Sequence, residues 1–310
     1  MSEPGLVLVG GTYKAGTKSL FSYLGAHQRV CACRVKEPGY FLPKAFGFGN
    51  SISYESDDVS SFRDLFDTRP EHTYILEATP AYLYSAEAAR AVKERYPDAH
   101  IVFCLRDPIE RLRSWYSMLR HLRRIPDDMT FPDYVGRQIR EPAAPARPLD
   151  GFPGRGLRDG RYVEALECWL SLFGRARCAI VWFDELRDRP RDVMANLCDQ
   201  LQLSPDPYDS YAFDAHNQAV YLRHWWLWTG YLRLKAAVAR RVRPRGRLGG
   251  WVRQARTQFE KLYGALINKP IQHAPLDPGV ERQLIDYYRT DVQALASVAG
   301  RPPPWLARYT

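Results

Sequence analysis

The sequence predicts an α/β fold of three layers: a central, mostly parallel sheet flanked by helices, with an added helical cap. Three observations predict it. Short apolar runs of strand length alternate with amphipathic stretches of helix length, the pattern of a parallel sheet with crossover helices. The first such run ends in Gly10-Gly11 and passes straight into a helical pattern. No run of eighteen apolar residues occurs, which excludes a transmembrane helix, and the N-terminal segment carries no basic start of a signal peptide.

The elements follow in order. Leu6–Val9 reads as a buried strand, and a helix begins near Thr17 with Leu20, Phe21 and Leu24 on one face. Tyr74–Ala78 is a second strand. Ser85–Tyr96 is a helix with Ser85 as N-cap and Pro97 as its stop. Ile101–Leu105 is a third strand, and it leads through Asp107-Pro108 into a helix. Asp107 as N-cap, Pro108 at the first helical position and Glu110 three residues after the cap make a start resembling a capping box. Cys178–Phe183 is a fourth strand, with a helix over Val193–Leu203. The Pro/Gly-rich segment Glu141–Gly156 reads as a long loop on the acceptor side of a site or at the surface. Residues 206–265, basic and aromatic from Ala219 onward, read as a helical cap with no obvious strand, and Pro278–Val298 reads as a closing helix. No linker divides the chain, so residues 1–310 are expected to form one domain.

Composition excludes some classes and leaves others open. Of 310 residues, 45% are hydrophobic and 25% charged, which excludes a disordered or collagen-like chain. The net charge is +9, carried by 36 Arg and 8 Lys. A taste for anions is the functional reading and a GC-rich genome the bland one. Cys104 and Cys178 lie in apolar runs, and the Cys31-x-Cys33 pair has no partner motif for a metal site, so a reducing cytoplasm is expected.

Three segments carry chemistry. Gly10-Gly11-Thr12-Tyr13-Lys14-Ala15-Gly16-Thr17-Lys18-Ser19 joins strand to helix, and such a turn aims backbone N–H groups and a helix N-terminus at one anion. It resembles a Walker A loop but has Thr17 where that motif needs Lys. Arg106 stands where a strand ends, the edge at which open α/β sheets bind ligands, and Ser114 lies two turns along the next helix. An Arg paired with Asp107 and a solvent-facing Ser are the structural alternative. Lys36-Glu37-Pro38-Gly39-Tyr40-Phe41 offers a carboxylate that can act as general base, although most Lys-Glu pairs are solvated surface.

Together these segments resemble the sulfotransferases that use 3′-phosphoadenylyl sulfate (PAPS), in the branch of heparan-sulfate-type and bacterial carbohydrate or natural-product enzymes. Glu77-Ala78-Thr79-Pro80-Ala81-Tyr82-Leu83, Gly160-Arg161-Tyr162, Trp182-Phe183-Asp184-Glu185-Leu186 and Asn268-Lys269-Pro270 are similar to further family stretches. The resemblance implies a P-loop-like fold and PAPS as co-substrate, with no metal. It places Lys14, Ala15, Gly16, Thr17, Lys18 and Ser19 at the 5′-phosphosulfate and Arg106 and Ser114 at the 3′-phosphate. It makes Glu37 the base and Lys14 the stabiliser of the leaving phosphate. Lys269 is the match to a late nucleotide-covering loop. The implied acceptor is a small molecule or glycan hydroxyl. A bacterial source is also implied, and no nucleic-acid partner is expected. Among the histidines, His27 and His72 read as surface residues and His273 follows Lys269 by four positions.

Two readings of other classes compete. An ATP-dependent small-molecule kinase would want Lys after Gly16 and an acid at a strand end. A membrane- or nucleic-acid-binding module would use Trp225-Trp226-Leu227-Trp228 and the Arg-rich run Arg240–Arg247, within a stretch 225–247 suited to peripheral membrane contact. The same stretch can instead pack as a cap or line the acceptor site.

Overall fold

The computed structural model describes residues 3–35, 37–46, 52–56, 59–141, 152–213, 220–222, 268–270 and 276–310. The chain groups into two units, residues 1–217 with 275–310, and residues 218–274.

The first unit is built on five parallel strands: β1 (Gly5–Gly11), β2 (Val30–Ala32), β3 (Tyr74–Ala78), β4 (His100–Leu105) and β5 (Cys178–Trp182), in the order β2-β3-β1-β4-β5. Along β1 the side chains alternate between faces, as period-2 geometry requires. Leu6 and Leu8 enter one buried cluster and Val7 and Val9 the other. The second cluster is closed by α1 (Thr17–Gly25) and α8 (Pro190–Gln200), through Leu20, Leu24, Met194 and Leu197. The first is closed by α3 (Ala86–Arg95), α4 (Pro108–His121), α6 (Val163–Phe173) and α9 (Pro278–Ala299), through Val92, Trp115, Trp169 and Tyr288. Two helical layers around one sheet give the three-layer fold that the alternating pattern predicts. Short helices α2 (Val59–Arg63), α5 (Phe131–Arg140) and α7 (Phe183–Asp188) complete the unit.

The sequence reading locates four of the five strands. It misses β2, whose three residues are too short to show a period, and α2, α5 and α6, which it reads as no element. Phe183 opens α7 rather than ending β5. The helix read over Val193–Leu203 starts at Pro190, whose fixed φ suits a first turn. Asp107 caps α4 through Ile109 N and Glu110 N at 2.8 and 3.3 Å. Glu110 does not return the bond: its carboxylate goes to Arg113 at 3.0 Å and Arg308 at 3.3 Å, so only the cap half of the expected box forms. His27, read as a surface residue, is buried, its ring Nε2 3.0 Å from the Ser204 carbonyl oxygen.

In the second unit Val220–Leu222 (β6) pairs antiparallel with Asn268–Pro270 (β7), with Tyr221 opposite Lys269. This corrects two expectations: the stretch from Ala219 contains a strand, and Lys269 sits on a strand rather than a loop. Lys36, most of the 141–156 loop, His273 and the 225–247 stretch lie outside the described residues. Among the described residues, no helix is long and apolar enough to cross a membrane.

Candidate active site

The site forms where β1 and β4, neighbours at the middle of the sheet, both end. The chain leaves β1 through Gly11, whose φ of +132° and approach to β4 admit no side chain: a Cβ there would lie 2.3 Å from the Cys104 carbonyl oxygen. Thr12 N donates to that oxygen at 3.0 Å. Lys14 then takes φ +72° and Gly16 φ +85°, so the loop turns twice through the left-handed region before α1 begins. A non-glycine residue in that region stores strain of order 1–3 kcal/mol, which persists where surroundings fix it. Here the Cys104 thiol donates to the Ala15 carbonyl at 2.7 Å, and the Tyr84 hydroxyl bridges Thr12 Oγ1 at 2.8 Å and the Asp159 carbonyl at 2.5 Å.

Gly16 caps α1 with no side-chain hydrogen bond, and the first turn holds no acidic residue. Backbone donors of Thr17, Lys18 and Ser19 are thus the first-turn N–H groups of an uncapped helix, a positive pole suited to phosphate.

Arg106 follows β4. Its Nη1 donates to the Lys14 carbonyl at 3.1 Å and its guanidinium lies over the Phe183 ring, 4.5 Å from the centroid. Burial pulls its pKa below the usual arginine value, against the opposing charges of Glu110 and Asp184, without threatening its cationic state. Asp107 does not pair with Arg106. It caps α4 and is held by Arg308 Nη1 at 3.0 Å and the Tyr309 hydroxyl at 2.9 Å, while the Tyr162 hydroxyl donates to the Arg106 carbonyl at 2.8 Å. Ser114 does not face solvent: only 5% of its surface is exposed. Six residues of helix, about 9 Å of rise, separate it from Pro108.

Glu37 has φ +49° and lines a small cavity of 20 Å³ with Thr17, Lys18, Phe21, Ala78 and Pro80. The candidate base and the first turn of α1 therefore share one space at the end of β3. Tyr13 lies within electrostatic range of both Glu37 and Asp159, and burial raises its phenol pKa. Lys14, Ala15, Gly16, Thr17, Lys18, Arg106, Ser114 and Glu37 thus gather at one end of the sheet. Lys269 belongs to the second unit.

The sequence reading misses two groups here. His121 ends α4 seven residues after Ser114, and burial together with the Lys14 charge lowers its pKa. The i, i+3, i+7 spacing of Ser114, Ser117 and His121 on one helix face is the signal that could have found it. The other is the fully buried Glu77, whose pKa burial pushes up to about 8.

Known proteins similar to this chain are sulfotransferases by name. A family profile described as "Sulfotransferase domain" matches residues 58–219, which include Arg106 and Ser114 and begin after the Lys14 loop. A bifunctional heparan sulfate N-deacetylase/N-sulfotransferase 1 of Caenorhabditis briggsae is 28% identical over 211 residues, covering 68% of this chain and 24% of that protein. The human bifunctional heparan sulfate N-deacetylase/N-sulfotransferase 3 is 28% identical over 219 residues, covering 67% and 24%. The chain thus spans about a quarter of the length of these relatives. The crystal structure of a sulfotransferase from Alicyclobacillus acidocaldarius shares the fold, with a TM-score of 0.66 and 20% identity over 99% of this chain and 100% of that one. With the profile matching more than half of its residues, the chain belongs to the sulfotransferase domain family.

Proposed function

We propose that the chain moves a sulfuryl group from PAPS to an acceptor hydroxyl on a carbohydrate or glycosylated natural product. One observation carries the reading: the Arg106–Lys14 bond joins the turn after β4 to the loop after β1 that leads into α1, a helix without a side-chain cap. A nucleotide with phosphates at both its 3′ and 5′ positions needs two such anion sites. The donor set fits it: backbone amides and hydroxyls of residues 14–19 for the 5′-phosphosulfate, the Arg106 guanidinium and Ser114 hydroxyl for the 3′-phosphate.

The chemistry is in-line displacement, in which positioning and charge stabilisation do most of the work. Glu37 takes the proton of the attacking acceptor oxygen. The new O–S bond forms as the bond from sulfur to the 5′-phosphate oxygen breaks, and Lys14 offsets the charge gathering on that leaving oxygen. Lys269 enters this scheme through the family resemblance alone. The basic residues neutralise the nucleotide, and the scheme uses no metal.

The relatives' names supply the carbohydrate class of the acceptor. Residues 1–310 are read as one sulfotransferase domain, with 141–156 and the cap setting acceptor choice and 225–247 available for peripheral membrane contact. A cytoplasmic site of action accords with the six cysteines, all free thiols. Incubation with sulfur-labelled PAPS and a panel of amino-sugar and uronic-acid oligosaccharides tests the reading. Label on a sugar hydroxyl supports it. Label on a sugar amine redirects the acceptor, and PAPS left unconsumed by every acceptor contradicts it.

A further inference from the structure

Glu77 is the penultimate residue of β3, and none of its surface is exposed. It points to the face shared by Ile75 and, on the neighbouring strand, Leu8, and so into the larger apolar cluster. A carboxyl in such a place is costly unless it is neutral or hydrogen-bonded. The chain has kept one there, beside the turn that carries Glu37.

Its contacts all lead to that turn. Thr79 Oγ1 donates to Glu77 Oε1 at 2.5 Å, and the same Thr79 oxygen accepts from Gly39 N at 3.1 Å. The Tyr82 hydroxyl also faces Glu77, and it accepts from Phe41 N at 3.3 Å. Two backbone amides of the 39–41 segment are thus held by two side-chain hydroxyls that converge on one carboxyl. That segment needs holding, because both Glu37 and Gly39 have positive φ, at +49° and +60°. Glu77 Oε2 is buried without a hydrogen-bond partner among the described residues.

We propose that Glu77 is the positioning residue for Glu37: through Thr79 and Tyr82 it fixes the Gly39 and Phe41 amides, and with them the turn that presents the Glu37 carboxylate to the acceptor. The inference rests on the reading of Glu37 as base. Chains of hydrogen bonds in an apolar surround reinforce one another, so losing one link frees the whole turn. The titratable groups facing Glu77 are Glu37 from the turn, Tyr82 from the segment after β3, and Cys33 beyond β2. None of these brings positive charge, and burial favours the protonated carboxyl. Glutamine mimics that neutral form.

The test uses the whole chain, with turnover, PAP affinity and hydrogen exchange of residues 37–42 measured on each variant. Thr79→Val is expected to lower kcat at least about tenfold, leave the PAP Kd within about twofold and speed exchange in 37–42, while Thr79→Ser restores all three. Glu77→Leu, which removes the acceptor for Thr79, is expected to speed exchange in 37–42 as Thr79→Val does, and Glu77→Gln, which keeps a neutral oxygen acceptor there, to slow it back toward the wild-type rate. Unchanged exchange in Thr79→Val, or a PAP Kd that worsens in step with kcat, overturns the proposal. Glu37→Gln, run in parallel, separates the two claims. If it stays active, the base assignment fails; the exchange result still decides whether Glu77 holds the turn.

Discussion

The Arg106 guanidinium donates to the Lys14 carbonyl oxygen at 3.1 Å, tying the turn after β4 to the loop after β1. The bond spans 92 residues of sequence and closes the gap between the two neighbouring strand ends. Lys14, whose φ is +72°, lies in the left-handed part of the loop where its carbonyl meets Arg106. The same guanidinium that is read as the 3′-phosphate ligand therefore also sets the shape of the 5′-phosphate loop. On that reading, binding at one end and loop geometry at the other are coupled through one side chain.

Arg106→Ala should accordingly weaken PAP binding at least tenfold, about 1.4 kcal/mol or more, the scale of one or two charge-assisted hydrogen bonds. Isothermal titration measures it. The melting temperature should move little by comparison, since Arg106 is only partly buried.

Glu37→Gln removes the proposed base while keeping its shape. A positioned acid–base group is commonly worth ~10²–10⁴ in rate, so kcat should fall by that order with PAP affinity within twofold of wild type. Steady-state kinetics on the acceptor, with titration of the same sample, checks both halves. A variant keeping more than half of wild-type turnover excludes Glu37.

Gly16→Ala places a Cβ 2.9 Å from the Phe183 ring at a residue with φ +85°. The backbone strain alone is of order 1–3 kcal/mol. The ring can give a little, but the left-handed backbone cannot be kept without cost. The variant should melt lower and bind PAP more weakly, by thermal denaturation with and without nucleotide.

Glu77 also makes a stability prediction. Its folded-state pKa, about 8, lies above the ordinary 4.5. Between those values the folded chain holds a proton that the unfolded chain has released, so each pH unit costs the wild type up to ~1.4 kcal/mol through this one group. That penalty is absent below pH 4.5 and complete above pH 8. Glu77→Gln cannot titrate, so its stability advantage over wild type should be small at pH 5 and grow steadily to pH 8. Urea denaturation of both proteins across that range measures the difference.

Much of this was legible in the sequence, for physical reasons. The long buried strands and the Gly-rich turn announce themselves through apolar runs and backbone demands that Gly11 and Gly16 alone can meet. Arg106 and Ser114 could be placed because a strand end and the helix after it fix their spacing. What stayed hidden depends on distance in sequence. No local pattern says that Asp107 is claimed by Arg308 and Tyr309, about 200 residues away, or that Glu77, which looks like any charged residue near a turn, is sealed behind Tyr82 and Phe41. His27 looks like a surface residue by its polarity, yet the Ser204 carbonyl lets it be buried. The loop expected at Lys269 comes from the family resemblance, and three-residue strands such as β6 and β7 leave no periodic trace that would correct it.

The most direct test of the central claim is calorimetric titration of the chain with PAP, first in EDTA and then in Mg²⁺, alongside ATP. One PAP per chain, bound equally well in EDTA and lost in Arg106→Ala, is the predicted result, with ATP binding far weaker. Absence of PAP binding, or ATP binding that requires Mg²⁺, would contradict the account and return the Gly11–Ser19 loop to a nucleoside-triphosphate reading.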